Sequence, residues 1–253
     1  MKINSLRFLN GNMLKILAAI FMLIDHAGLM FFQDDMSFRI VGRLAFPIFA
    51  FMISEGARYT KNKLKYLLSI SGLALVCQVV FYIVSKSLYM SILVSFTLSI
   101  ITIYALHYFK KCLFSKECKL SRKILSGVIF VCTVITVAAL NYLLDIDYGF
   151  FGCMAPVLAS LFDFRGIDAP EFVKRTDNLY IRLLPFGIGL VFLANASMSN
   201  IQIYSLFSLL LLLCYSEQRG KAKMKYFFYI FYPLHLVLLT AIQVVIYILR
   251  LKA

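Results

Sequence analysis

Residues 13–32 read MLKILAAIFMLIDHAGLMFF, from Met13 to Phe32. The stretch is apolar apart from Lys15 near its start and the adjacent Asp25 and His26. At 1.5 Å per residue, a helix of this length crosses the roughly 30 Å of hydrocarbon in a bilayer. It has no small-residue cleavage site behind a short apolar region, so it reads as a retained span and not as a secretory signal. Ionisable side chains are costly inside a membrane and persist where they have a partner or a task. Histidine is the side chain whose ordinary titration lies nearest neutrality. The stretch therefore points to a membrane protein with an internal polar site.

Working outward, the same apolar character continues. The 253-residue chain is 62% hydrophobic, with a mean hydropathy of +0.86, where a soluble domain holds about 45–50% apolar residues. Nine apolar runs bounded by turn signals occupy residues 13–32, 38–57, 64–84, 88–109, 123–143, 147–163, 179–195, 200–216 and 225–250. They are continuous, unlike the short alternating strands of a membrane barrel. The expected fold is all-α: a polytopic transmembrane helical bundle of about nine spans. No repeat, low-complexity tract or composition shift divides it, so residues 1–253 read as a single integral-membrane domain. The mixed-charge loop 164–178 suits a short surface helix.

A net charge of +14 raises the question of nucleic acid, and the distribution answers it. Of the 26 Lys and Arg, 21 lie in the N-terminal segment, in the loops after the second, fourth, sixth and eighth runs, or in the first turn of the run that follows. Arg39, Lys86, Arg250 and Lys252 lie on the alternate side, and Arg43 falls within a run. That asymmetry is the positive-inside pattern. It sets the protein in the cytoplasmic membrane with the N-terminus inside and the C-terminus outside, and with lipid, not nucleic acid, as its partner. The six cysteines (Cys77, Cys112, Cys118, Cys132, Cys153, Cys214) show no metal-ligand spacing, so no metal is expected.

Position along a helix gives depth. His26 lies about 20 Å from the cytoplasmic start of the first run, and His235 about 15 Å from that of the ninth. Arg43 stands near the outer end of the second run and Glu55 near its inner end. His235 follows Tyr232-Pro233-Leu234, where the proline removes a helical hydrogen bond. Each group also has a packing role to weigh. Asp25 and Arg43 can form an ion pair that fixes two helices, Glu55 is within reach of Arg58 or Lys61, His107 suits an interfacial position, and Ser95 and Thr97 suit hydroxyls that pack helices.

Several blocks, in order along nearly the whole chain, resemble the TraX family: Leu14-Lys15-Ile16-Leu17-Ala18 with Met22-Leu23-Ile24-Asp25-His26-Ala27-Gly28; Gly42-Arg43-Leu44-Ala45-Phe46-Pro47-Ile48-Phe49-Ala50-Phe51; Glu55-Gly56; Phe96-Thr97-Leu98; Asp147-Tyr148-Gly149; and Phe231-Tyr232-Pro233-Leu234-His235-Leu236. Lys15 and His26 also resemble the basic-x10-His pattern of membrane acyltransferases, with lysine where arginine is more usual. The resemblance implies an acetyltransferase that takes its acetyl group from cytoplasmic acetyl-CoA and passes it to an amine, including a peptide N-terminus, or to a hydroxyl. His26, Asp25, Arg43 and His235 become the candidate catalytic residues. Lys15, Glu55, Arg58 and Thr97 become candidate contacts to CoA. The acceptor is expected from the outer side, near Gln33-Asp34-Asp35, Asp145 and Asp147. His26 serves as general base, or as a transiently acetylated nucleophile. The same intramembrane charges also suit a proton-coupled transporter or a non-catalytic assembly protein.

Overall fold

The computed structural model describes residues 7–197, 199–222 and 224–252. Among them every regular element is helical: α1 (Gly11–Phe31), α2 (Met36–Gly42), α3 (Ala45–Tyr59), α4 (Lys63–Ser85), α5 (Ile92–Phe114), α6 (Leu120–Leu143), α7 (Gly149–Ala159), α8 (Glu171–Lys174), α9 (Leu179–Ala196), a 3₁₀ helix (Asn200–Phe207), α10 (Ser208–Leu213) and α11 (Lys225–Lys252). Among the described residues, seven segments are long and apolar enough to cross a membrane, with α2 and α3 together making one of them. The runs expected at 147–163 and 200–216 hold shorter apolar helices, Gly149–Ala159 and Asn200–Leu213. Large apolar side chains on α4, α6 and α11, such as Leu75, Ile135 and Val245, are exposed. Faces of that extent suit lipid, not water.

The chain forms two compact units: residues 1–49 with 198–253, and residues 50–197. In the first, α1 packs against α2 and α11. Its N-cap Asn10 accepts from the N–H groups of Asn12 and Met13, satisfying donors that a helix start leaves open. Backbone bonds then fasten this end of α1 to the chain beyond α10: Leu9 N–H to Cys214 O at 3.0 Å, Gly11 N–H to Gln218 O at 2.7 Å and Asn12 N–H to Arg219 O at 3.1 Å. At the start of α2, Asp35 accepts from Ser37 N–H at 2.9 Å, which holds its carboxyl below the usual range.

The second run was expected to be one helix over 38–57. It breaks at Arg43 and Leu44. Pro47 has no N–H for the Arg43 carbonyl, and its ring crowds that position, whereas the first turn of α3 accommodates it. The eighth run is also irregular. Its first eight residues are 3₁₀, which rises about 2.0 Å per residue against about 1.5 Å in α. Fourteen residues of this mixed helix therefore reach about 25 Å, more than their number suggests.

In the second unit α5 is central, packing against α4, α6 and α7, while α7 also packs against α9. Although α7 has 11 residues, its flanks follow α5 from end to end. Met90 bridges to Ile146, Ser95 Oγ donates to Asp147 O at 2.7 Å and Ser99 Oγ to Cys153 O at 2.7 Å. At the other end Lys110 Nζ donates to the carbonyls of Ser160 (2.9 Å) and Asp163 (2.6 Å), taking up acceptors that a helix end leaves open. Above α7 the Tyr89 hydroxyl donates to Asp147 at 2.6 Å, and burial together with that carboxylate pushes the phenol above its ordinary pKa. The loop 164–178 does carry a short helix, α8.

Candidate functional site

The four candidate catalytic residues all lie in the first unit, and two side-chain clusters hold them. Asp25 and His26 are neighbours on α1, so their side chains leave the helix about 100° apart. Asp25 turns to α2. Arg43 Nη2 donates to both of its carboxylate oxygens at 3.0 Å, and Arg39 Nη1 donates to Oδ2 at 2.9 Å. The Asp25 and Arg43 side chains are each 13% exposed. Two guanidinium groups on one carboxylate leave this corner with net positive charge. Arg43 Nη1 also donates to Gln202 Oε1, on the 3₁₀ helix, at 3.2 Å. The close approach of α1 and α2 depends on glycine: a β-carbon on Gly42 would collide with the Asp25 carboxylate, and one on Gly28 with the Phe38 side chain.

His26 turns instead to α11. Its Nδ1 lies 2.9 Å from Nε2 of the buried His235, and the rings are within 11° of parallel. His235 Nδ1 lies 2.9 Å from the carbonyl oxygen of Phe231. Phe231 stacks on the His235 ring and Tyr232 meets it edge-on. A carbonyl only accepts, so Nδ1 of His235 carries the proton of that bond. With His235 neutral, its Nε2 is an acceptor, and the proton between the rings belongs to Nδ1 of His26. Nε2 of a neutral His26 is then the basic end of the chain.

Among the candidate CoA contacts, Lys15 belongs to this unit. It lies on the first turns of α1, its ammonium 5.9 Å from the Phe228 ring centroid. Glu55, Arg58 and Thr97 belong to the second unit and have internal partners there. Expected to reach Arg58 or Lys61, Glu55 meets Arg182 at 2.6 Å. Arg182 is fully buried, and a guanidinium in that position needs a carboxylate more than a solvated helix neighbour does. It also donates to Ala159 O at 3.2 Å and faces the Phe51 ring. Arg58 donates to Asp163 at 2.8 Å and to Asp177 at 2.5 Å. Thr97 Oγ1 donates back along its helix to Leu93 O at 2.9 Å, the usual recourse of an intramembrane hydroxyl. No group of three metal-ligating side chains gathers among the described residues.

Sequence reasoning assigned Arg39 to the outer loop and Arg182 to an inner loop, and it did not single out Gln202. A signal existed for Arg39, which precedes Arg43 by four residues and so shares its helix face. For Arg182 the signal was its place inside an apolar run.

A helical, multi-pass membrane protein with an ion cluster and a histidine pair inside its first unit is the class that this fold and site define. The TraX protein family model matches residues 10–243, and the chain belongs to that family. No curated protein and no solved structure matches the chain.

Proposed function

We propose that this protein is a membrane-embedded acetyltransferase that moves the acetyl group of cytoplasmic acetyl-CoA to an amine, such as a peptide N-terminus, or to a hydroxyl. The observation that carries this reading is the His26–His235 pair, whose hydrogen-bond direction leaves His26 Nε2 as a proton acceptor.

For an amine acceptor the nitrogen lone pair attacks the thioester carbonyl carbon. As the new C–N bond forms, one N–H proton passes to His26 Nε2, the C–S bond breaks, and the thiolate leaves and is protonated. The products are the acetamide and CoA. General-base catalysis of this kind is worth about 10²–10⁴-fold. Arg43 and Arg39 supply positive charge for the oxyanion and for the departing thiolate. Asp25 anchors both guanidinium groups and acts as a positioning residue. His235 fixes the tautomer of His26. Lys15 and the segment hydrogen-bonded to the start of α1, with Arg219 and Lys221, suit the phosphates of CoA by charge-assisted contacts.

The charge asymmetry of the loops supports an inward N-terminus and an outward C-terminus in the cytoplasmic membrane. CoA then meets the basic inner end of α1, and the acceptor reaches His26 from the side of residues 33–35.

Purified protein incubated with labelled acetyl-CoA and a panel of amine and hydroxyl acceptors, beside His26→Ala, tests the proposal. Acetyl transfer that is lost in the variant is the expected result. Proton-linked solute flux into proteoliposomes with no acetyl transfer would overturn it in favour of a carrier. The absence of both, with intact binding of another membrane protein, would leave an assembly role.

A further inference from the structure

We infer that Gln202 is a catalytic residue whose side-chain Nε2 donates a hydrogen bond to the acyl carbonyl oxygen; the inference rests on the acetyl-transfer reading above. Gln202 lies in the 3₁₀ helix and is 3% exposed. Its Oε1 accepts from Arg43 Nη1. A guanidinium has donors and no acceptor, so the amide is fixed with its oxygen toward Arg43 and its NH₂ directed away. No hydrogen-bond partner among the described residues meets that buried Nε2. Buried amide donors are almost always satisfied, so an orphan of this kind calls for an explanation.

Ser205 provides a second observation. It is fully buried, and its Oγ also lacks a partner among the described residues. In a 3₁₀ helix residues i and i+3 eclipse one another, so Gln202 and Ser205 present two unmet polar groups along one edge. The eight-residue 3₁₀ run is about twice the usual length.

The surroundings select the ligand. The guanidinium that orients Gln202 also holds Asp25, the chain neighbour of His26. A neutral donor beside an excess of positive charge suits an oxygen that gains negative charge, and disfavours an ammonium group. The thioester carbonyl becomes such an oxygen when the acceptor adds to it. Gln202 then restrains the carbonyl while His26 takes the proton.

The test uses the full-length purified protein, Gln202→Met, which keeps the volume without the donor, and Gln202→Asn, which withdraws the amide by one methylene. Two CoA analogues probe binding: acetyl-dethia-CoA, which keeps the carbonyl, and S-ethyl-CoA, which replaces it with methylene. The wild-type protein is expected to favour the carbonyl analogue by about tenfold. Gln202→Met is expected to lose that preference while still binding S-ethyl-CoA. In turnover, kcat is expected to fall by about 10²–10³-fold with KM for acetyl-CoA little changed, a split that a purely structural role would not produce. A retained carbonyl preference or an unchanged kcat in Gln202→Met would overturn the inference. Should Gln202→Met fail to fold, Gln202→Asn is read by the same criteria. Wild-type protein that binds neither analogue and transfers no acetyl group would instead overturn the parent reading, and this inference with it.

Discussion

Gly42 faces the Asp25 carboxylate so closely that any β-carbon at position 42 would overlap it. The ion pair between α1 and α2 thus depends on a residue that carries no charge. Gly42→Ala is expected to push Asp25 off Arg43 and to destabilise the protein by about 1–3 kcal/mol, the usual cost of overpacking. Thermal unfolding in detergent measures this, and an unchanged midpoint would contradict the packing described.

Asp25 and Arg43 should also be energetically coupled. Removing Asp25 leaves two guanidinium groups without their shared counter-ion, at a cost of up to about 3–5 kcal/mol, whereas removing Arg43 leaves Asp25 its bond to Arg39 and should cost less. Because both side chains keep 13% exposure, the lower end of that range is expected. The double variant Asp25→Ala/Arg43→Ala should lose less than the sum of the single changes, by about 0.5–3 kcal/mol. Additive losses in a double-mutant cycle would show that the pair contributes only as two separate side chains.

Acid should suppress the proposed transfer. His26 accepts a proton only when the pair is neutral. The rate is therefore expected to rise with pH while the pair deprotonates, and to level off above that range. His26→Ala should cost about 10²–10⁴-fold. His235→Phe should cost less, since it removes the acceptor that sets the tautomer but keeps the base. A rate that shows no fall at any acid pH the folded protein tolerates would exclude a histidine base.

In the second unit, Arg182→Met takes the guanidinium from the buried Glu55 carboxylate and should destabilise by up to about 3–5 kcal/mol. Glu55→Gln/Arg182→Met removes both charges and should recover most of that loss, because a buried pair repays little beyond its own desolvation. The expectation is a change in folding with KM for acetyl-CoA held constant. A raised KM with normal stability would reassign Glu55 and Arg182 to CoA binding.

Orientation can be read from a native thiol. Cys118 is free and partly exposed, in the basic segment between α5 and α6. With the N-terminus inside, it should resist a membrane-impermeant maleimide in intact cells and react after permeabilisation. Labelling in intact cells would reverse the topology.

Hydropathy made the apolar helices legible, and depth arithmetic brought His26 and His235 to similar levels. Their contact was not legible, because a sequence gives height along a helix without saying which faces meet. Asp25 could be assigned a partner in Arg43. Its second partner, Arg39, was hidden by its position near a span end, where a cation usually serves topology. The break at Arg43 was written in Pro47, but a continuous apolar run masked it. Glu55 illustrates the opposite difficulty. Sequence proximity favoured Arg58 and Lys61, whereas its partner Arg182 is 127 residues away. Gln202 gave no signal, since a lone amide in an apolar run becomes informative only when its neighbours are known.

The carbonyl of Phe231 closes one end of the imidazole chain. A backbone carbonyl is too weakly basic to receive a proton onward, so hydrogen-bond hopping through the two rings stops there. Charge collected at His26 has to be returned through the nitrogen that collected it, or by turning a ring. In the proposed transfer such an arrangement would serve as a reservoir with one opening, which suits a step that borrows a proton and hands it back within the same turnover.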